Sequence, residues 1–314
     1  MNNVLILGGS GFVGRHLCEH LVRQGIRATV PTRRESHAQA LQTLPGVTVV
    51  EANVHDEAAL RGLLPGHDAV VNLVAILHGN AHSFQQAHVA LPQTLARAMQ
   101  ATGVRRLVHI SALGAGEQAV SLYQRSKTEG EAVLRATDLD LTLLRPSVIF
   151  GAEDRFLNMF ARLQAGLPLM LLAGGSCRFQ PVWVGDVAEA IVRCLLRPET
   201  AGQTYECVGP QVLTLADLVR LAGQLSGHPR PVLSLPLAFG VFQALLLKCL
   251  PGPTVMSVDN VHSMQVDNVA SGALPTLAAL GIAPEAVTPV AARYLARDHR
   301  ADPLLALRRH PPST

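Results

Sequence analysis

The sequence predicts an α/β protein, a doubly wound parallel sheet followed by a smaller, mostly helical C-terminal lobe. Over residues 1–150, short apolar runs alternate with amphipathic helical runs. The first apolar run breaks into glycines immediately before a helical pattern. Beyond Gly151 the alternation stops, and proline and glycine separate shorter elements. Strict alternation of strands and helices is typical of parallel sheets, because each crossover between parallel strands needs a helix.

Composition narrows the functional class. The chain has 314 residues, of which 48% are hydrophobic, and this is enough for a large buried core. Only 16% of residues are charged and the net charge is +3, which argues against a nucleic-acid partner. The five cysteines are scattered without a C-x-x-C pair, so we expect reduced core cysteines in a cytosolic protein, and neither disulfides nor a metal site. Because the first strand begins close to Met1, we expect no signal peptide.

The stretch from Val4 to Gly14 predicts a strand, a phosphate-binding loop and the start of a helix. Gly8 suits a tight turn off the strand, Gly11 lets the backbone approach a pyrophosphate, and Gly14 lets the helix lie close to the sheet. The helix start offers unpaired N–H groups and the positive end of its dipole to phosphates. A plain strand-to-helix turn is the alternative. We expect a bound dinucleotide that contacts Gly8, Ser10, Gly11, Phe12, Val13 and Gly14.

The rest of the chain divides into a dinucleotide-binding domain, residues 1–150, and a substrate lobe, residues 151–314, from which about residues 179–200 return to the core domain. The pattern predicts a helix over 84–102, in which Pro92 should cause a kink or a restart because it lacks an N–H group. Asp56 and Thr214 are placed to cap helices. Further strands are predicted at 27–31, 47–50, 69–73, 106–110 and 141–144, and further helices at 38–44, 57–64, 122–137, 155–165, 186–196 and 215–226.

Two arginines bear on the choice of cofactor. An NAD site usually presents an acidic residue at the end of the second strand, but here Arg33 and Arg34 stand there. Guanidinium groups suit a 2′-phosphate, so the sequence favours NADP(H) and leaves NAD(H) open. The alternative is that both are solvated loop residues, with Glu35 neutralising one of them. Residues after the third and fourth strands should line the adenine and ribose: Asn53, Val54, Leu73, Val74 and Ala75.

A serine, a tyrosine and a lysine form the candidate catalytic set. Ser111 follows the fifth strand, and Tyr123 and Lys127 lie four positions apart, on one face of a predicted helix. A lysine ammonium and an oxidised nicotinamide both favour a tyrosine phenolate. Ser111 would hold the substrate oxygen beside Tyr123 while C4 of the nicotinamide gives or takes hydride. Y-x-x-x-K alone is common by chance, but its order after the glycine loop and the serine, and before residues 144–151, is more specific.

With these motifs, residues 1–220 resemble the extended and atypical short-chain dehydrogenase/reductase superfamily, the NAD-dependent epimerase/dehydratase group with its Rossmann fold. The resemblance implies that Tyr123 is the acid/base, that Lys127 binds the nicotinamide ribose, and that Ser111 polarises the substrate. It also implies that Pro146 and Val148 lie beside the nicotinamide. Asn53-Val54 departs from the group's usual aspartate-containing pair. The short spacing from Ser111 to Tyr123 disfavours a nucleotide-sugar substrate.

Within that superfamily, residues 72–78, 110–115 and 266–269 are most similar to bacterial relatives of the NADPH-binding accessory subunit of respiratory complex I. The resemblance implies two functions. One is an oxidoreductase of the short-chain type, transferring hydride to or from a hydrophobic carbonyl or alcohol. The other is a non-catalytic NADP(H)-holding accessory or assembly protein of a respiratory complex. The presence of Ser111, Tyr123 and Lys127 favours the oxidoreductase. It disfavours a third hypothesis, that the protein is a redox-sensing regulator.

Two features remain outside these motifs. His78, His82 and His88 cluster in sequence, but their spacing favours loop or helix-surface histidines over metal ligands. Residues 235–250 predict a helix that is apolar nearly all round. It suits a covered core helix, a wall for a small apolar substrate such as a quinone or lipid, or a weak peripheral membrane contact. We therefore expect a cytoplasmic protein, with a peripheral position on the inner face of the membrane as the alternative.

Overall fold

The computed structural model describes residues 1–116, 118–236 and 258–296, and it shows an α/β fold around a seven-stranded sheet. The strand order is β11-β6-β5-β4-β1-β2-β3, with every neighbouring pair parallel. The order reverses between β1 and β4, and in such sheets ligands bind beyond the carboxyl ends of the strands at this point. The sheet strands are β1 (Asn3–Leu7), β2 (Arg27–Thr32), β3 (Val47–Glu51), β4 (Ala69–Asn72), β5 (Arg106–Ile110), β6 (Asp140–Pro146) and β11 (Thr204–Cys207).

Helices cover both faces of this sheet. On one face Leu17 of α1 and Ile191 of α7 are fully buried against the strands. On the other face Leu60 of α2, Leu95 of α4 and Leu134 of α5 form a second buried cluster. The strands are therefore buried on both sides, which explains their nearly continuous apolar sequences. These helices are α1 (Phe12–Arg23), α2 (Glu57–Leu63), α3 (Ala81–Gln85), α4 (Leu91–Thr102), α5 (Leu122–Arg135) and α7 (Val184–Leu196).

The remaining elements form a smaller, mainly helical lobe with its own core around Phe150, Leu157 and Leu218. Thr214 caps α8 through a hydrogen bond from the Asp217 amide to its Oγ1. The chain returns from this lobe to the sheet through α7, which packs on α1. The lobe contains α6 (Leu157–Gly166), α8 (Leu215–Leu225), α9 (Val258–Ser263), α10 (Val287–Leu295) and the short strands β7 (Ile149–Phe150), β8 (Met170–Ala173), β9 (Arg178–Phe179), β10 (Val182–Trp183), β12 (Leu213–Thr214) and β13 (Val232–Leu235).

The structure confirms the doubly wound parallel sheet and corrects three details. The seventh strand, β11, was not predicted, because it follows the point at which regular alternation ends. The helix predicted over residues 38–44 is a 3₁₀ helix over Glu35–Leu41, in which Ala38 departs from helical dihedral angles. The helix predicted to begin at Phe84 begins at Ala81, where Asn80 accepts a hydrogen bond from the Ser83 amide.

The predicted disturbance around Pro92 takes the form of a π-helical turn. Residues Gln86–Ala90 form this wider turn between α3 and α4, directly before Pro92. A π turn relaxes the hydrogen-bonding register, which accommodates a proline that cannot donate. The turn also brings a carbonyl against α5, because a Cβ on Gly130 would lie 2.0 Å from the His88 carbonyl oxygen.

Two further expectations concern the cysteines and the apolar helix. Four cysteines have buried, free thiols: Cys18, Cys177, Cys194 and Cys207. The helix predicted at 235–250 falls almost wholly outside the described residues, since β13 ends at Leu235 and description resumes at Val258. Among the helices in the described ranges, none has both the length and the apolar character to cross a membrane.

We expect Gly130→Ala to destabilise the protein, because its methyl group would collide with backbone rather than with a movable side chain. Overpacking of this kind costs about 1–3 kcal/mol. Gly62→Ala in α2 is the matched control, because a Cβ there meets nothing within 4 Å and alanine favours helix by about 1 kcal/mol. Urea denaturation should lower the free energy of unfolding for Gly130→Ala and raise it for Gly62→Ala. Equal effects would contradict the close packing of α5 on the π turn.

Candidate functional site

The glycine loop after β1 lies against the loop after β4, and both were predicted to contact the cofactor. Gly8 has φ +80°, and a Cβ on it would lie 3.1 Å from the backbone of Leu73 and Val74. The loop after β1 therefore contacts the loop after β4. A Cβ on Gly14 would lie 2.4 Å from the Gly9 backbone, so this position of α1 leaves no room for a side chain against the loop that follows β1.

The N-terminus of α1 suits an anion. Its first turn carries no acidic residue, and Gly11 stands at the N-cap without a side-chain hydrogen bond to the helix. Phe12 and Val13 open the helix, with Ser10 just before it. A Cβ on Gly151 would lie 3.1 Å from the Phe12 ring, so this end of α1 also meets the loop that leads into the lobe. Free N–H groups at a helix N-terminus are a ready site for a pyrophosphate.

Two exposed arginines stand where the sequence predicts the adenosine end of a cofactor. Arg33 and Arg34 are both exposed just after β2, and no carboxylate within the described ranges lies within 4 Å of either guanidinium. Glu35 begins the 3₁₀ helix and forms no ion pair with either arginine, while the exposure of both side chains also fits the alternative of solvated loop residues. Burial and the charge of Arg33 lower the pKa of His55, which follows β3. Arg33 thus lies towards the loop that carries Asn53 and Val54.

Ser111 and Lys127 come together at the end of β5. Lys127 is 1% exposed, and its Nζ donates to the Ile110 carbonyl oxygen at 3.0 Å, directly before Ser111. An ammonium has three hydrogens, so this contact leaves two donors for a ligand. The Ser111 hydroxyl oxygen is buried and has no partner among the described residues. A buried hydroxyl without a partner is costly, and a bound substrate oxygen or cofactor would satisfy it.

Burial dominates the electrostatics around the tyrosine. It raises the pKa of Tyr123 to about 12, so the phenol stays protonated at neutral pH in the protein without cofactor. The expectation that a lysine ammonium and an oxidised nicotinamide together favour the phenolate concerns the cofactor-bound protein and stays a prediction. Burial lowers the pKa of Lys127 to about 8, opposed by Glu131 one turn away. At neutral pH Lys127 therefore still carries its proton.

The first turn of α5, which carries Tyr123, has every backbone donor satisfied. Ser121 Oγ accepts from the Gln124 amide at 3.1 Å, and the Gln124 side chain accepts from the Ser121 amide at 3.4 Å. The two amides between them, Leu122 and Tyr123, donate to the carboxylate of Asp259 at 2.7 and 3.0 Å. Four donors at a helix start normally need capping, and here a distant residue caps two of them. The C-terminal segment is thereby joined to the helix that carries Tyr123 and Lys127.

The same segment also holds the chain next to the predicted nicotinamide position. Asn268 Oδ1 accepts from the Ser147 hydroxyl at 2.5 Å and from the Val148 amide at 3.2 Å. Pro146 ends β6 immediately before them. The sequence indicated residues 266–269 only through a resemblance, and no local pattern indicated Asp259. Asp259 and Asn268 form hydrogen bonds to residues more than 100 positions away in the sequence, and a local pattern does not reveal such contacts.

His88 was predicted to be a loop or helix-surface histidine, and this is wrong. It is 2% exposed, and its ring centroid lies 5.5 Å from that of Tyr123. His88 lies on the same buried face as Phe84, Leu91 and Leu95, so its position belongs to the apolar stripe of the helical run and not to its surface. The described residues contain no cluster of histidine, cysteine and acidic side chains that could hold a metal ion.

Comparisons with known proteins agree with this geometry. The profile of the NAD dependent epimerase/dehydratase family matches residues 4–207, and the chain belongs to that family. It is 30% identical over 286 residues to the mouse protein "NADH dehydrogenase [ubiquinone] 1 alpha subcomplex subunit 9, mitochondrial", covering 89% of this chain and 76% of that one. It is also 27% identical to "Ceramide reductase" of Caulobacter vibrioides over 234 residues, which cover 74% of this chain and 73% of the relative.

The solved structures extend the likeness in fold. UDP-glucose 4-epimerase from Thermus thermophilus, in complex with NAD, superposes with a TM-score of 0.71 at 21% sequence identity. The match covers 96% of this chain and 99% of that one. The fold and the family are therefore those of NAD(P)-binding proteins with a Rossmann sheet.

We expect Asp259→Ala to expose the start of α5 without unfolding the protein. Hydrogen exchange should accelerate at the Leu122 and Tyr123 amides, which lose their acceptor. Ser121→Ala is the matched control, because it should accelerate exchange at the Gln124 amide instead. Unchanged exchange at residues 122 and 123 in Asp259→Ala would contradict the role of the C-terminal segment at this helix.

Proposed function

We propose that the protein is an NADP(H)-dependent oxidoreductase of the short-chain type that reduces a small apolar carbonyl compound. The proposal depends mainly on one contact: Lys127 donates a hydrogen bond to the Ile110 carbonyl oxygen, directly before Ser111 at the end of β5. The lysine is buried but keeps two donors, and the serine hydroxyl is buried without a partner among the described residues. Buried polar groups are normally satisfied, so these atoms are best explained by a ligand.

The residues present fit a dinucleotide. The N-terminus of α1 would hold the pyrophosphate, and the two spare Lys127 donors would bind hydroxyls of the nicotinamide ribose. Leu73, Val74 and Ala75 would line the cofactor, since their loop contacts the glycine turn. When bound, the nicotinamide supplies or accepts hydride.

Side chains of the protein would supply the proton for this reaction. Ser111 would donate a hydrogen bond to the carbonyl oxygen and hold it beside Tyr123. Tyr123 would give its hydroxyl proton to the carbonyl oxygen when the carbonyl carbon is reduced. Lys127, one turn further along the same helix, would favour the phenolate that remains by its positive charge.

Tyr123 carries the proton that a reduction needs. Burial raises its pKa to about 12 in the protein without cofactor, so the phenol is protonated at neutral pH, and this form can donate to a developing alkoxide. We propose carbonyl reduction as the direction to test, because NADPH is a hydride donor.

An apolar substrate is supported by the lobe and by one relative. The lobe core carries half-buried apolar side chains, including Val148, Phe156 and Trp183. The Caulobacter relative is named a ceramide reductase, a name that specifies a lipid substrate for that protein. The short spacing from Ser111 to Tyr123 disfavours nucleotide sugars. Carbonyl compounds of lipid or quinone type are the candidates.

The second candidate is an NADP(H)-holding accessory protein without turnover. It is supported by the likeness to the mouse NADH dehydrogenase subunit over 89% of this chain. Such a protein would bind cofactor through the same loop, so binding alone does not separate the two functions. Weak association with a membrane surface and a cytoplasmic location belong to this proposal as well.

We expect Arg33→Ala and Arg34→Ala to weaken NADPH binding selectively. Loss of one charge-assisted contact to the 2′-phosphate should cost about 1.5–3 kcal/mol, whereas NADH, which lacks that phosphate, should bind nearly unchanged. Arg23→Ala at the far end of α1 is the control. Fluorescence titration with both cofactors measures the effect, and equal affinity of the wild type for NADH and NADPH would remove the argument.

We expect Tyr123→Phe to abolish carbonyl reduction while NADPH still binds. Loss of a positioned acid typically costs about 10²–10⁴-fold in rate. Tyr205→Phe is the matched control, because Tyr205 lies in β11 away from the set. NADPH oxidation is followed with a panel of long-chain ketones, acyl derivatives and quinones. If the wild type and Tyr123→Phe both bind NADPH and neither turns over any member, the accessory function replaces the enzyme.

A further inference from the structure

His88 lies between the cofactor-lining loop after β4 and the catalytic helix α5. Its Nε2 accepts a hydrogen bond from the Ile76 amide at 3.1 Å. Its Nδ1 lies 2.8 Å from Ser126 Oγ, and Ser126 Oγ in turn donates to the Tyr123 carbonyl oxygen at 2.7 Å. One imidazole thus connects two chain segments that both belong to the candidate site.

These partners determine the proton on the ring. A backbone amide can only donate, so Nε2 must be the nitrogen without hydrogen. Nδ1 then carries the hydrogen and donates to Ser126, whose own hydrogen goes to the Tyr123 carbonyl. Burial and the nearby charge of Lys127 lower the pKa of His88 to about 3, which agrees with a neutral ring. His88 is therefore set to hold groups in place and not to carry protons.

The backbone around His88 leaves it little freedom. His88 lies in the π turn with its side chain buried, and its carbonyl oxygen packs against Gly130, where any side chain would collide. The ring stacks on Phe84, with centroids 5.6 Å apart, and meets the edge of Tyr123. A movement of His88 would therefore also shift the Tyr123 ring.

We propose that His88 is a positioning residue that couples the cofactor loop, through Ile76, to the tyrosine of the catalytic helix, through Ser126. The inference rests on the proposed function, since it assigns His88 to the same site. Any buried imidazole needs partners for its ring nitrogens, and what distinguishes His88 is where its partners lie: one is in the loop after β4 and the other is on the helix that carries Tyr123. The hydrogen bond to Ile76 holds the cofactor loop, and the hydrogen bond to Ser126 holds the catalytic helix. Each of the two hydrogen bonds can therefore be removed by its own mutation.

His88→Asn and His88→Gln separate them. An asparagine amide nitrogen reaches the position of Nδ1, so this variant keeps the donor to Ser126 and leaves the Ile76 amide unpaired. A glutamine oxygen reaches the position of Nε2, so this variant keeps the acceptor for Ile76 and loses the donor to Ser126. His82→Asn and His82→Gln, at an exposed position of α3, are the matched controls.

For His88→Asn we expect faster hydrogen exchange at the Ile76 amide and about 5- to 100-fold weaker NADPH binding, with kcat at saturating NADPH nearly unchanged. For His88→Gln we expect the reverse. Hydrogen exchange at the Ile76 amide and the affinity for NADPH should stay unchanged, and kcat should fall at least about tenfold. Ser126→Ala should lower kcat in the same way as His88→Gln, without altering the histidine itself.

Two results would overturn the inference. One is that the Asn and Gln variants behave alike, with affinity and kcat changed in equal proportion, as for a residue that only fills space. The other is that both behave like the His82 controls. If the wild type binds NADPH but turns over nothing, the proposed function fails, while Ile76 exchange and NADPH affinity in the two variants still decide the coupling of the cofactor loop.

Discussion

The position of helix α5 is the constraint on which the candidate site depends. Its N-terminus is capped by Asp259, a residue 136 positions further along the chain than Tyr123. Its inner face touches the π turn at Gly130, and its buried lysine bonds the end of β5. Because three separate parts of the fold hold this helix, Tyr123 and Lys127 keep a defined orientation before any ligand arrives. Such preorganisation reduces the ordering that binding would otherwise require.

The site is also held in an electrostatically unfavourable state. Lys127 is buried with a lowered pKa, and the Ser111 hydroxyl lacks a partner among the described residues. Each buried polar group left unpaired costs about 1–3 kcal/mol, which the surrounding core must offset. Glu131 partly compensates for the lysine charge while pairing with Arg145 at 2.8 and 2.6 Å. Strain of this kind is expected where a fold is arranged to receive a ligand, and a dinucleotide and a carbonyl oxygen would relieve it.

Much of this architecture follows from the sequence, because it is local. Apolar runs before glycines predict the strands, Asp56 and Thr214 predict helix starts, and Y-x-x-x-K predicts one helical face. The features that escaped prediction arise from tertiary contacts. The environment of His88 depends on the packing of α5 against the π turn, and the cap from Asp259 depends on the path of the C-terminal segment. The raised pKa of Tyr123 depends on burial, which the spacing of residues does not report.

The central claim is that the Ser111, Tyr123 and Lys127 set is a working hydride-transfer centre. It is tested most directly with NADPH carrying deuterium at C4, supplied separately as each of the two stereospecifically labelled forms. Incubation with the apolar carbonyl panel and mass spectrometry of the products measures transfer. The account predicts one product that gains a single deuterium from only one of the two forms, since a preorganised site presents one face of the nicotinamide. Absence of deuterium from every product, in a protein shown to bind NADPH, would contradict it.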